Sequence, residues 1–86
     1  MSTVEEIKSL VNAAMDEAGD AATGMAGVVD KLDEAISRLR LVTTGSLHPK
    51  AEETIQRLEQ AKDKLAEAQQ LARGAADSAA EYRSTI

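Results

Sequence analysis

Residues 43 to 53 read TTGSLHPKAEE, and this stretch divides the chain into two helices. Gly45 can adopt the left-handed backbone conformation that closes a helix, and the two threonines before it weaken one because they are β-branched. Pro49 has the fixed φ that suits the first residue of a helix, and acidic residues follow it in what would be the first turn. The stretch therefore predicts a turn over residues 43–49, with a helix on each side.

The segment before the turn has the heptad pattern of a long amphipathic helix, predicted over about residues 4–42. When Val4 is counted as position a, all twelve a and d positions up to Val42 are apolar. The e positions are apolar as well at Met15, Ala22, Val29 and Ile36. The apolar stripe is thus wider than a two-stranded coiled coil needs, which predicts more than one packing neighbour for this helix.

The segment after the turn predicts a second helix over about residues 50–84. Counted from Ala51 as position a, its a and d positions are apolar except for Thr54. Two helices of nearly equal length with a short connector predict an all-α fold, a long antiparallel two-helix hairpin resembling a coiled coil. We expect a single domain over residues 1–86. Its core must be thin, because alanine supplies 16 of the 37 apolar residues.

A hairpin with such a core leaves much of its apolar stripe in water, and a chain of this size is often marginal alone. Pairing to form a four-helix bundle, as a homodimer or heterodimer, would cover the stripe. Tyr82, near the end of helix two, either closes the open end of the hairpin or anchors a partner. The residues of helix one that we expect at the partner interface are Val11, Met15, Met25, Val29, Leu32 and Ile36.

Composition excludes several classes of function. The net charge is −5 and no cluster of basic residues interrupts the sequence, which argues against nucleic acid as a partner. No stretch approaches 18 apolar residues, so membrane insertion is not expected. Glu5 and Glu6 precede any apolar run, so we expect a cytoplasmic protein, or one exported without a cleavable signal peptide.

The pattern also argues against catalysis and metal binding. His48 and Glu52 are spaced to share a helix face, but one histidine and one carboxylate are too few for a closed metal site. The carboxylates of helix one are expected to be solvated, since a thin hairpin has no enclosed apolar pocket that would raise their pKa. We predict no catalytic residue, no cofactor and no metal.

Residues 45–82, GSLHPKAEETIQRLEQAKDKLAEAQQLARGAADSAAEY, resemble the second helix of a family of small actinobacterial helical hairpins. In that family a Gly-Ser-x-His-Pro turn precedes a helix with heptad Leu and Ala and a Tyr near its end. The matching residues are Gly45, Ser46, His48, Pro49, Leu58, Ala61, Leu65, Ala68 and Tyr82. Such hairpins occur alone and at the N-termini of polymorphic toxins, and they are similar in outline to the WXG-type hairpins of type VII secretion. This turn lacks the Trp-x-Gly of the WXG type, and the chain after Tyr82 reads RSTI in place of Tyr-x-x-x-Asp/Glu.

Two functions follow as expectations. The resemblance implies a non-enzymatic protein–protein interaction module, a targeting or adaptor hairpin for a secreted or toxin-like partner. The alternative is a cytoplasmic coiled-coil protein that self-associates for a structural or regulatory purpose and has no export role. Neighbouring genes for a secretion ATPase or a toxin would favour the first.

Overall fold

The computed structural model describes residues 3–43 and 48–86, and it consists of two long helices packed side by side. Helix α1 spans Val4–Thr43 and helix α2 spans Pro49–Thr85. The molecule measures 65 × 18 × 14 Å. The predicted all-α antiparallel hairpin is confirmed for this part of the chain. The predicted turn residues Gly45 and Ser46 lie outside the described residues.

The first turn of each helix is capped by the residue before it. The Thr3 hydroxyl accepts a hydrogen bond from the backbone amide of Glu6 at 3.1 Å, the contact expected of an N-cap threonine. His48 has extended backbone angles, φ −67° and ψ 122°, and its Nδ1 accepts from the amide of Lys50 at 3.1 Å. Pro49 has no amide hydrogen to satisfy. Each helix therefore begins after a residue whose side chain accepts a hydrogen bond from a free amide of the first turn, and in α2 the proline also leaves one amide fewer to satisfy.

Helix α1 continues through the segment that holds Gly19, Gly24 and Gly27. Each glycine costs a helix about 1 kcal/mol relative to alanine. A Cβ atom added at any of the three would meet no atom within 4 Å, so packing against α2 does not require glycine there. The helix is weakened in this segment for no reason visible within the hairpin itself.

The two helices contact each other through rows a and e, where a row is the set of residues that share one heptad position. The three buried residues, Ala22, Ile36 and Ile55, all belong to row e, and row a is partly buried along both helices except at Val4. Most of row d is exposed. Rows a and d, the apolar rows of the heptad pattern, are therefore not the two rows that pack in the seam. Row e carries larger side chains than the alanine-rich row d, at Ile36 and Ile55 above all, so burying it removes more apolar area from water.

The core is thin, as the composition predicts. The only buried side chains among the described residues are those three, and all are apolar. The chain exposes 6,321 Å² to solvent, whereas a compact monomer of its mass exposes about 4,900 Å². An isolated hairpin therefore leaves a large area uncovered.

Candidate interaction surface

The hairpin has two long sides that flank the seam between the helices, and hydrogen bonds across the seam show which rows lie on each side. The donors on one side are Arg40 Nη2, Lys62 Nζ and Arg83 Nη1. Their acceptors, in order, are Glu59 Oε1 at 3.0 Å, Asp33 Oδ1 at 2.8 Å and Asn12 Oδ1 at 2.6 Å. These bonds join row b of α1 to rows b and e of α2. The two b rows therefore lie on the same side of the seam. In each helix row d lies on the opposite side of the seam from row b, so the two d rows share the other side.

We call the side formed by rows b and f the polar flank. It holds eight acidic and two basic residues. Contact with Asp33 raises the pKa of Lys62, because the bond and the negative charge both favour the protonated ammonium. Lys62 occupies row e, in the seam, so its aliphatic stem follows the helices while its ammonium reaches the carboxylate. The polar flank is thus joined across the seam by charged side chains.

We call the side formed by rows d and g the apolar flank. Its large side chains are well exposed: Leu71 by 75%, Val42 by 73%, Leu10 by 68%, Tyr82 by 50% and Val28 by 47%. The small residues between them are chiefly Ala14, Ala21, Gly24, Ala61 and Ala75, and charged residues of row g lie among them as well. Exposed large apolar side chains that share one side of a molecule make that side a candidate interaction surface.

Charge is segregated between the two flanks. Row g, the outer edge of the apolar flank, carries five basic residues and one acidic residue, Glu17. The basic residues are Lys31, Arg38, Lys50, Arg57 and Lys64. Counting charges along each helix does not reveal this segregation, which appears only when rows are assigned to flanks.

Several of these basic residues pair with acidic residues of their own helix on the outer row c. Lys31 Nζ lies 3.5 Å from Glu34, and Lys64 Nζ lies 3.7 Å from Glu67. Glu53 accepts from Lys50 at 2.8 Å and from Arg57 at 3.0 Å, and these two bonds lower its pKa. Exposed pairs of this kind contribute little to stability, so the basic side chains can turn toward a partner at low cost.

The residues that the sequence marks as the interface lie mostly within the hairpin. Val11, Met15, Met25, Val29, Leu32 and Ile36 all belong to rows a and e of α1. Ile36 is only 5% exposed and the other five are partly buried. The structure thus places them in the seam with α2, and the apolar surface that is left for a partner is the neighbouring row d. Sequence periodicity identified the wide stripe, but not which part of it α2 covers.

The other predicted positions are divided between the surface and the start of α2. Tyr82 lies on the apolar flank and is half exposed. His48 and Pro49 form the start of α2, where the His48 ring caps the helix.

An open depression along α2 is lined by Arg57, Gln60, Ala61, Asp63, Lys64 and Glu67. It borders the apolar flank at Ala61.

The described residues offer few features for other kinds of function. Among them, no polar side chain is buried, and no group of three potential metal-ligating His, Asp or Glu residues is close together. Neither α1 nor α2 contains a segment long and apolar enough to cross a membrane.

No protein-family model matches the chain, and no curated protein or solved structure matches it.

Proposed function

We propose that this hairpin is a non-enzymatic protein-binding module that packs its apolar flank against a helical partner. The observation that carries the proposal is the strip of exposed apolar residues from Leu10 to Val42 on α1 and from Ala61 to Tyr82 on α2. These residues share one side of the molecule, while charged side chains bond across the other.

The area left uncovered is of the size that a stable complex buries. The hairpin exposes 6,321 Å², roughly 1,400 Å² more than a compact chain of equal mass. A standard protein–protein interface covers about 800 Å² on each partner. An interface of that size on the apolar flank would therefore cover more than half of the excess.

The shape of the apolar flank favours helices as its partner. It is two helices wide and some 65 Å long, with small residues along its middle. Small side chains let helix axes approach to the short end of the usual 8–10 Å range. A second pair of helices laid on this surface would complete a four-helix bundle.

A targeting or adaptor role for a secreted or toxin-like partner is the physiological setting we propose for this binding. The support for it is the Gly-Ser-x-His-Pro sequence before α2 and Tyr82 near its end. The alternative is self-association in the cytoplasm with no export role. A secretion ATPase or toxin gene beside the gene for this chain, together with export of the chain when both are expressed, would favour the first. Retention in the cell would favour the alternative.

The binding itself is tested with flank variants. Candidate partners are the chain itself and helical proteins encoded beside its gene, each mixed with wild type, Val28→Lys and Thr23→Lys. Val28 lies on the apolar flank and Thr23 on the polar flank, about 7.5 Å apart along α1. We expect only Val28→Lys to lose binding. Equal binding by the two variants, or no binding to any candidate, would contradict the proposal.

A further inference from the structure

We infer that the partner on the apolar flank is a second copy of this chain, packed flank to flank with the two turns at opposite ends. This inference rests on the proposed function and adds which molecule binds the apolar flank and in which orientation. The two-fold axis would run across the hairpin at its midpoint, so that α1 faces α1 and α2 faces α2. Residues equally distant from the midpoint then meet.

The midpoint can be placed from the described residues. The centre of α1, Val4–Thr43, falls beside Gly24. On α2 the corresponding level is Leu71, because the bonds of Lys62 to Asp33 and of Arg83 to Asn12 fix the register of the helices. Gly24 and Leu71 both belong to row g of the apolar flank. Each would meet its own equivalent in the second copy.

Charge on α1 is complementary in this arrangement. Glu17 and Lys31 lie seven residues on either side of Gly24, about 10 Å along the helix in each direction. The second copy therefore brings its Lys31 opposite Glu17, and its Glu17 opposite Lys31. Within a single hairpin the two residues are about 21 Å apart along the helix and cannot pair.

The opposite orientation, with both turns at the same end, places like charges together. It would lay α1 of one copy on α2 of the other at the same level. Lys31 would then face Lys64, and Arg38 would face Arg57, because these residues are level in the hairpin. Like charges opposite one another at an interface oppose binding, so the charges select the antiparallel orientation.

Side-chain size is complementary as well. Tyr82 and Ala61 are equally distant from Leu71 in opposite directions, within one residue, so the tyrosine of each copy would lie over Ala61 of the other. The depression beside Ala61 is edged by Arg57 and Lys64, whose cations can contact an aromatic ring. Gly24 has open space around it in the hairpin, and two glycines at the axis would allow close approach of the α1 helices. This contact gives the helix-weakening glycine a function.

A charge exchange tests the inference. The variants are Glu17→Lys, Lys31→Glu and the double variant, each followed by light-scattering mass over a concentration series. Each single variant places like charges at two symmetric contacts, and we expect dimer dissociation constants raised at least about tenfold. The double variant should return to near the wild-type value. Rescue requires two molecules, since the residues cannot meet within one. Single variants with unchanged dissociation constants, or a double variant without rescue, would overturn the inference.

Cross-linking checks the orientation separately. The chain contains no cysteine, so a single introduced one reports on a single position. We expect Leu71→Cys to form covalent dimers with a short bis-maleimide and Leu41→Cys, equally exposed but on the outer row c, to form few. Equal cross-linking would overturn the inference.

The two proposals fail in different ways. A wild-type chain that stays monomeric but binds a neighbouring-gene protein, with that binding lost in Val28→Lys, would reject the second copy and keep the binding module. A monomer that binds no protein candidate would reject both. Binding to anionic vesicles by a chain that remains monomeric would also count against the second copy.

Discussion

The two flanks lie on either side of one seam and differ in whether their side chains find partners within the hairpin. On the polar flank, Arg40, Lys62 and Arg83 reach across the seam to acceptors on α1 or α2. On the apolar flank the described side chains form no bond across the seam that the structure records, and Leu71 is 75% exposed. The polar flank is therefore bonded within the single hairpin, while the apolar flank leaves its apolar groups in water.

If the hairpin associates as proposed, this difference between the flanks would direct association to one side. Concentrating acidic residues on the polar flank makes that side repel another copy, since two such surfaces would bring carboxylates together. The apolar flank keeps its charges on the outer row g, where they can pair with a partner without being fully buried. Specificity is then set by both attraction on one flank and repulsion on the other.

The largest expected effect comes from the seam that supports both flanks. Ile36→Asp would bury a charge in a core of three residues. We expect loss of most helical circular dichroism at room temperature. Ser37→Asp, an exposed neighbour, is the control and should stay folded. An Ile36→Asp chain with wild-type melting would show that the seam is misassigned.

The next effect separates the apolar flank from the outer surface. Leu71→Lys and Leu41→Lys make the same change at residues exposed by 75% and 77%. Lysine and leucine have nearly the same helix propensity, so neither variant should unfold the hairpin directly. We expect Leu71→Lys to shift the chain to a monomer and Leu41→Lys to keep the wild-type mass. Equal masses for the two variants would remove the functional distinction between the surfaces.

A smaller effect is expected at two glycines of α1. Gly27→Leu should raise helix stability by somewhat less than about 1 kcal/mol, because glycine is about that much poorer than alanine as a helix former and a Cβ atom there would meet nothing within 4 Å. Leucine at position 24 has the same intrinsic benefit but stands at the proposed axis. Gly27→Leu should therefore melt higher than wild type and retain its mass, whereas Gly24→Leu should dissociate more readily. The same increase in melting and mass for both would argue that the α1 helices do not approach at Gly24.

The smallest effect concerns the polar flank. Asp33→Asn removes the partner that raises the pKa of Lys62. The stabilisation from this contact is present at neutral pH and is lost as the pH rises through the pKa of Lys62 in the folded chain, which lies above its ordinary 10.5. The variant should melt slightly below wild type at pH 7, and the difference should close near the alkaline limit. The mass should be unchanged at pH 7. A change of mass there would place the polar flank in the interface.

Local sequence signals predicted the fold well, because each depends on residues close together. Pro49, the apolar heptads and the acidic first turn placed the helices within a residue of Val4–Thr43 and Pro49–Thr85. The cap on α1 was also present in the sequence, since Thr3 and Glu6 have the spacing of a capping box. The His48 cap had no comparable signal, as histidine is not among the favoured N-cap residues.

The candidate surface was harder to predict, for a physical reason. Rows a and d of α1 are apolar throughout and row e is apolar from Met15 to Ile36, so periodicity cannot say which two rows α2 covers. That choice depends on side-chain volume in the facing helix, where Ile55 in row e favours burial over Thr54 in row d. Periodicity therefore assigns residues such as Met15 and Ile36 to a partner interface, whereas in the structure they face α2. The segregation of charge between the flanks can be recognised only once the rows that form the seam are known.

The most direct test of the central claim is the solution mass of the wild-type chain, measured by multi-angle light scattering over a wide concentration series with thermal melting at each concentration. If the apolar flank binds a second copy, the mass should rise from 9.1 kDa to twice that value, and the melting temperature should rise with concentration. A chain that remains at 9.1 kDa throughout, with a high melting temperature independent of concentration, would contradict the account.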